Sequence, residues 1–188
     1  MKVAIVDLGI NNALSLENML WYVGVDTKVI RRPSEVTNEE LVFFPGVGSF
    51  DSGMERLRSE NWDQALKGHL ANRKIVGLCL GMQLLGESSE EGKLPGLGLL
   101  PISFKAIKKA SDHIKSPHMG WNSVEFHGNA TLSLGQMEST RFYFVHSFAS
   151  YDVASPAVEG ITNYGLPFVS MARNANVLGV QFHPEKSH

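Results

Sequence analysis

The chain has 188 residues, 43% of them apolar, a formal net charge of −2 and a single cysteine. This length and composition are typical of one globular domain with a sizeable core, and the near-neutral charge excludes a protein built mainly to bind nucleic acid or an anionic membrane. One cysteine cannot form an internal disulfide, and no apolar run is long enough for a signal core or a membrane span, so we expect a cytoplasmic protein.

The first half of the chain alternates short β-branched segments with helical patterns. We predict four strands, at residues 2–9, 26–30, 40–48 and 74–78. Asn12 can cap a helix that ends at Gly24 and has an apolar face made of Leu16, Met19, Leu20 and Val23. Ser52 and Glu55 have the spacing of a capping box before a second helix over residues 54–70. This alternation predicts a mostly parallel sheet with right-handed crossovers.

The second half of the chain has more strand signals. Segments rich in β-branched and aromatic residues are separated by Gly, Pro and Asn turns, at 104–107, 121–126, 141–148, 167–173 and 176–182. Nothing between the halves reads as a linker or a repeat. We therefore expect a single α/β domain over residues 1–188, with extra β-strands in its second half.

The only cysteine lies where a predicted strand meets a predicted helix. In Gly77-Leu78-Cys79-Leu80-Gly81 small residues stand two positions before and after the thiol, which is the spacing of a nucleophile elbow. Such a turn places Cys79 at the carboxyl edge of the sheet, where α/β folds bind ligands. A helix N-terminus and a nearby imidazolium favour the thiolate form of a cysteine. The alternative is an inert core cysteine, because lone cysteines in apolar segments are usually buried.

A cysteine nucleophile needs a base and an orienting group, and residues 183–185 offer both. Alternation along an extended chain puts His183 and Glu185 on the same side, with Pro184 between them. A carboxylate beside an imidazole stabilises its protonated form. His-x-Glu pairs occur by chance in many surface strands, but together with the elbow this one predicts a Cys79–His183–Glu185 triad.

Attack by a thiolate on a carbonyl creates an oxyanion, which backbone N–H groups can stabilise. Leu80 offers one such group, and the loop Gly46-Val47-Gly48 after another predicted strand offers more. Glycines at 46, 48 and 53 do not have the dinucleotide-binding spacing and no P-loop lysine follows, so we predict no nucleotide cofactor and no metal. An ordinary glycine turn is the alternative for this loop.

Five segments resemble class-I (triad) glutamine amidotransferases, in this order: PGVGSF, GLCLGMQLL, PHMGWN, YFVHSF and GVQFHPEKS. More narrowly, they are similar to the glutaminase subunits of imidazole glycerol phosphate synthases. The resemblance implies a flavodoxin-like three-layer α/β/α fold and hydrolysis of L-glutamine to glutamate and ammonia. It implies that Cys79 is the nucleophile, His183 the general acid and base, and Glu185 its orienting partner. The substrate-binding residues that it implies are Gln83, Val47, Gly48, Leu80, His146 and Ser147.

The resemblance also implies a partner, a (β/α)₈-barrel cyclase that receives the ammonia and makes imidazole glycerol phosphate and aminoimidazole carboxamide ribotide in histidine biosynthesis. Because free ammonia is protonated in water, the site should open onto a covered interface. We expect an interface loop around Met119 and Trp121, residue types enriched at contact cores; a packing turn beneath the sheet is the alternative. Asn12 and Lys186 match positions that face the cyclase in the family.

The chain departs from the family pattern near both ends. Residues 7–12 lack an aromatic residue and a glycine that relatives carry, and the sequence stops where relatives continue into one more helix, so we expect a truncated chain. FDSGM and the last three residues are similar to a paralogous branch that feeds ammonia to sugar-modifying enzymes of surface-polysaccharide pathways. A stand-alone cysteine hydrolase and a non-catalytic binding module are the remaining alternatives.

Overall fold

An eight-stranded sheet forms the centre of the molecule. The structure, a computed structural model, describes residues 2–9, 13–68, 70–110, 114–127 and 141–187. The strands of the sheet lie in the spatial order β2 (Thr27–Ile30), β1 (Val3–Val6), β3 (Leu41–Gly46), β4 (Lys74–Cys79), β13 (Val177–Val180), β12 (Leu166–Asn174), β11 (Val158–Tyr164) and β8 (Glu125–Phe126). The four pairings from β2 to β13 are parallel and the other three are antiparallel. The predicted mostly parallel sheet with extra strands from the second half is confirmed.

In the described part of the chain, shorter strands and helices surround this sheet. The helices are α1 (Ala13–Tyr22), α2 (Phe50–Ser59), α3 (Trp62–Lys67), α4 (Leu80–Leu85) and α5 (Ile107–Ala110), with single 3₁₀ turns at Pro33–Glu35 and Pro184–Lys186. A three-stranded sheet contains β5 (Ser88–Ser89), β6 (Ser103–Ala106) and β10 (Phe148–Ala149), and an antiparallel pair joins β7 (His118–Ser123) to β9 (Arg141–His146). Within the described ranges no helix has the length and apolar character that crossing a membrane would require.

Both faces of the central sheet are covered by apolar side chains. Along β1, Ala4 and Val6 join a core cluster that includes residues of α2, α3 and α4, whereas Val3 and Ile5 join a second cluster that includes residues of α1. Side chains alternate across a strand, so these two clusters lie on opposite faces. The result is the three-layer arrangement that the resemblance implied.

Helix α1 ends as predicted but buries less than predicted. Gly24 has φ +77°, and the N–H groups of Gly24 and Val25 donate to carbonyls of the last helical turn at 2.9 Å, which is the Schellman arrangement that glycine favours. Leu16 and Leu20 are buried, but Val23 is exposed. The prediction for Val23 was wrong because the helix stops at residue 22, before this position can return to the buried face.

The helix predicted over 54–70 is two helices, α2 and α3, and the first begins at residue 50 with Ser49 rather than Ser52 at its N-cap. Asn61 interrupts the run with φ +60°, a conformation that asparagine tolerates better than most residues. The break turns Trp62 into the core, where its ring packs edge-on against Phe44 at 5.1 Å and its N–H donates to the carbonyl of Arg31. Burial of this ring outweighs the continuous helix that the local pattern favoured.

Candidate active site

Cys79 lies in the tight turn that joins β4 to α4. Its backbone has φ +52° and ψ −110°, a region that a side chain with a Cβ rarely occupies. A Cβ on Gly81 would overlap the carbonyl oxygen of Phe44, and one on Gly77 would come within 2.7 Å of the carbonyl of Gly81. The elbow therefore has the close backbone packing that its spacing predicted.

His183 and Glu185 form a buried pair at the same edge of the sheet. Nδ1 of His183 lies 2.7 Å from Oε1 of Glu185, and both side chains are more than nine-tenths buried. The sequence predicted that an extended backbone would place both side chains on the same side of the chain. This prediction was wrong in detail, because His183 is extended but Pro184–Lys186 forms a 3₁₀ turn. The turn carries the carboxylate back to the imidazole because proline fits the first position of a helical turn.

The imidazole of His183 interacts with both Cys79 and Glu185. Burial lowers the pKa of His183, but charge interaction with Cys79 and Glu185, together with the hydrogen bond to Glu185, raises it to about 9. Nε2 of this ring is buried and has no hydrogen-bond partner among the described residues. The sulfur of Cys79 instead lies 3.9 Å from the carbonyl oxygen of Val145 and receives the amide of Gln181 at 3.6 Å.

A cavity of about 410 Å³ opens beside the sulfur. Eight of the nine predicted catalytic and substrate-binding residues line it: Val47, Gly48, Cys79, Leu80, Gln83, His146, Ser147 and His183. The ninth, Glu185, lies behind the imidazole of His183. The volume suits a small polar molecule, since drug-sized ligands occupy cavities of roughly 300–1,000 Å³.

The predicted oxyanion loop follows β3 directly beside the elbow. Gly46 is the register partner of Cys79, and Gly48 has φ +107° with open space where a side chain would be. Leu80 opens helix α4, so its N–H belongs to the first, unsatisfied turn of a helix. Their role as oxyanion donors stays a prediction.

Gln83 faces the cavity, and its amide is part of a short buried chain. Nε2 of Gln83 donates to Oε1 of Gln181 at 3.2 Å, and Nε2 of Gln181 donates to the sulfur. Sequence reasoning missed Gln181. Its position offered a signal, because residues i and i+2 of an extended strand share a face and Gln181 stands two before His183.

His146 lines the cavity with both ring nitrogens already occupied. Its Nδ1 donates to the carbonyl of Phe148 at 2.9 Å, so its Nε2 must accept, at 3.0 Å, from Nδ1 of His118. Nε2 of His118 is then the acceptor for the amide of Asn122 at 3.3 Å. His146 therefore shapes the wall of the cavity but has no ring nitrogen left for a ligand.

Burial keeps this histidine pair neutral. It lowers the pKa of His118 to about 4, and the pKa of His146 to about 3, where the nearby imidazoles of His118 and His183 also disfavour a charge. The ring of His118 is stacked between those of Tyr164 and Phe144, at 4.0 and 4.9 Å. Sequence reasoning singled out neither the pairing nor the role of His118.

Glu91 is a further cavity residue that sequence reasoning missed. Its Oε2 accepts the N–H of Phe50 at 2.9 Å. Burial and the neighbouring charge of Asp51 raise the pKa of Glu91, against that hydrogen bond. Asp51 in turn accepts the N–H groups of Lys93 and Leu94 at 3.0 Å, which holds the loop in place. No spacing in the sequence connects these segments.

Comparisons with a family profile and with individual proteins both point to the same family. The profile of class-I glutamine amidotransferases matches residues 4–188. The chain belongs to this family. It is 42% identical to imidazole glycerol phosphate synthase subunit HisH 2 of Methanococcus maripaludis, over 99% of this chain and 93% of that protein. It is 38% identical to subunit HisH of Bacillus subtilis, over 98% of this chain and 89% of the relative.

Solved structures agree on the fold. A glutamine amidotransferase crystal structure matches with TM-score 0.75 at 19% identity, covering 97% of this chain and 90% of that one. The PurLQS structure from Thermotoga maritima matches with TM-score 0.76 at 19% identity, covering 98% and 87%. The flavodoxin-like α/β/α fold of class-I glutamine amidotransferases is therefore confirmed for this chain.

Three of the four predicted interface residues lie on one exposed patch, defined here as Met119, Trp121, Tyr143 and Lys186. The segment predicted as a loop is strand β7, and its alternation turns Met119 and Trp121 outward while His118 is buried. The ring of Trp121 lies 6.3 Å from that of Tyr143, and Nζ of Lys186 lies 5.9 Å from the same ring. The fourth residue, Asn12, lies outside the described residues.

The pKa of His183 predicts the behaviour of a variant. Glu185→Gln removes one of the groups that raise this pKa, so the midpoint of His183 should fall below about 9. The stability from protonated His183 is complete below the unfolded pKa of about 6.5 and is lost as pH rises through the folded pKa, so in the variant this loss should be smaller and should end at a lower pH. Imidazole NMR titration and unfolding between pH 6 and 10 measure both effects.

A matched control is Glu159→Gln, since Glu159 pairs with Arg173 at 2.8 Å and not with a histidine. It should leave the His183 midpoint in place. An unchanged midpoint in Glu185→Gln would contradict the proposed pairing.

Proposed function

We propose that this chain is the glutaminase subunit of an imidazole glycerol phosphate synthase and hydrolyses L-glutamine to glutamate and ammonia. The observation that carries the proposal is the convergence of the Cys79 sulfur and the His183–Glu185 pair on one small cavity. These three groups supply a nucleophile, a proton carrier and a group that orients it. The relatives named above are subunits of that synthase.

The chemistry follows from the free nitrogen of His183. The thiolate of Cys79 attacks the carboxamide carbon, and backbone N–H groups of Val47, Gly48 and Leu80 stabilise the oxyanion. When the C–N bond breaks, the leaving nitrogen takes a proton from Nε2 of His183, which gives ammonia and a glutamyl thioester. His183 then takes a proton from water, the resulting hydroxide attacks the thioester, and the C–S bond breaks to release glutamate.

The direct test is Cys79→Ala. Glutamate release from glutamine should disappear, because the residue that forms the thioester is gone, while docking to the partner should persist. Glutamate is measured with the partner and its ligand present, and simple amides and peptides are offered as competing substrates. Turnover of peptides in preference to glutamine would indicate a stand-alone cysteine hydrolase, and unaltered turnover in the variant would discard the proposal.

Glu91 is the acidic side chain among the residues that line the cavity. We propose that it binds the α-ammonium group of glutamine, because the substrate brings a positive charge and a carboxylate is its natural partner. The hydrogen bond from Phe50 leaves lone pairs of the carboxylate available. Asp51, through its hold on Lys93 and Leu94, would keep this carboxylate in position.

Glu91→Gln should therefore raise KM for glutamine by about tenfold to a hundredfold, the loss expected for one charge-assisted hydrogen bond. The matched substrate is glutaramic acid, which is glutamine without its α-amino group. Wild type and variant should hydrolyse it with the same kcat/KM. If kcat/KM of the variant fell equally for both substrates, Glu91 would not be the residue that binds the ammonium group.

We further propose that the patch of Met119, Trp121, Tyr143 and Lys186 docks the (β/α)₈-barrel cyclase, which accepts the ammonia in histidine biosynthesis in the cytoplasm. Met119 and Trp121 are 61% and 44% exposed, and such side chains are often anchors at the centre of an interface. Lys186 follows Glu185 directly, so a covered patch would lie beside the triad. Ammonia would then leave the site without meeting bulk water.

Trp121→Ser should weaken binding to the co-expressed cyclase by at least about tenfold, as expected for loss of an aromatic anchor. Trp21→Ser is the matched control, because Trp21 is 76% exposed near the C-terminal end of α1 and is not part of this patch. Titration calorimetry measures both affinities. Equal affinities of the two variants for the cyclase would show that the docking surface does not include Trp121.

A further inference from the structure

The turn that follows His183 is fastened to strand β9 by one serine hydroxyl. The N–H of His183 donates to the carbonyl of Tyr143 at 2.9 Å. In a hydrogen-bonded antiparallel pair, the N–H of Tyr143 would donate straight back to His183. Here it donates to Oγ of Ser187 at 3.0 Å, and that hydroxyl donates to the carbonyl of His183 at 2.6 Å. The side chain of Ser187 thus bridges the N–H of Tyr143 and the carbonyl of His183, two groups that face each other in this antiparallel pair.

The hydroxyl bond to the carbonyl of His183 also spans the turn that follows the base. The N–H of Ser187 donates to the carbonyl of Pro184 at 3.0 Å, and the N–H of Lys186 to that of His183 at 3.1 Å. The resulting 3₁₀ turn is what returns Glu185 to within 2.7 Å of the imidazole. The backbone bonds form the turn, and the serine hydroxyl ties this turn and the main chain of His183 to strand β9, although Ser187 lines no part of the cavity.

We propose that Ser187 is a positioning residue for His183. It acts through the main chain: it sets how far His183 stands from β9 and so where the imidazole lies relative to the sulfur of Cys79. Alanine would remove the hydroxyl bridge between the N–H of Tyr143 and the carbonyl of His183, whereas threonine keeps it. The inference rests on the roles proposed above for Cys79 and His183.

Because Cys79 is the only cysteine, alkylation by iodoacetamide reports its reactivity without any need for glutamine. In Ser187→Ala alkylation at pH 7 should slow by about tenfold, since a displaced imidazole is no longer in position to take the proton of the thiol. A merely structural role would have the opposite sign, because loosening would expose the buried thiol and speed the reaction.

Two controls sharpen the comparison. Ser187→Thr should keep the wild-type rate. Ser59→Ala should do so too, because Ser59 also donates to a carbonyl, that of Arg56 at 2.9 Å, but is exposed at the C-terminal end of α2 and does not line the cavity. In Ser187→Ala, kcat for glutamine should fall by about tenfold with little change in KM, as expected when only the proton carrier is displaced.

Alkylation of Ser187→Ala at or above the wild-type rate would overturn the inference, and so would a threonine variant as slow as the alanine variant. These outcomes separate the inference from the function itself. If the wild type hydrolyses no glutamine, the proposed function fails, yet the alkylation rates still decide the role of Ser187. If the wild type hydrolyses glutamine and the alanine variant alkylates normally, only the inference fails.

Discussion

The site depends on the direct contact of three backbone segments that glycine makes possible. Strands β3 and β4 lie so close to the first turn of α4 that side chains at Gly77 or Gly81 would overlap main-chain atoms, and one at Gly46 would come within 2.9 Å of Gly81. With no room for a wider loop, the chain must turn at Cys79 itself. That positive φ costs on the order of 1–3 kcal/mol, which burial of all six residues of α4 offsets.

Sheet order, rather than any local contact, then assembles the site. Strand β13 pairs in parallel with β4, so both end at the same edge and the chain after β13 emerges beside the elbow. Strand β9 crosses this edge and meets His183 through Tyr143. The thiol, the imidazole and the cavity wall come from three distant parts of the chain, yet each is placed by main-chain hydrogen bonds of rigid elements. Such placement suits a site that must hold reacting groups within a fraction of an ångström.

Features with a local cause could be predicted from the sequence, and those with a tertiary cause could not. The elbow, the His183–Glu185 spacing and the stop at Gly24 each depend on residues a few positions apart. The break before Trp62 depends on where its ring is buried, and strand β7 depends on its partner β9. The contacts of Glu91 and of the His118–His146 pair join segments that are far apart in the chain, so no local sequence spacing could predict them.

The distribution of charge among the buried histidines completes this picture. Burial alone disfavours the protonated form of every imidazole, and it does so for His118 and His146, whose partners are neutral groups. His183 is equally enclosed but faces Glu185 and Cys79, and these two reverse the sign of the shift. A positive charge on His183 in turn opposes protonation of His146. The hydrogen bond between His118 and His146 thus links strands β7 and β9 through two neutral rings, and His183 is the one of these three imidazoles whose surroundings favour the protonated form.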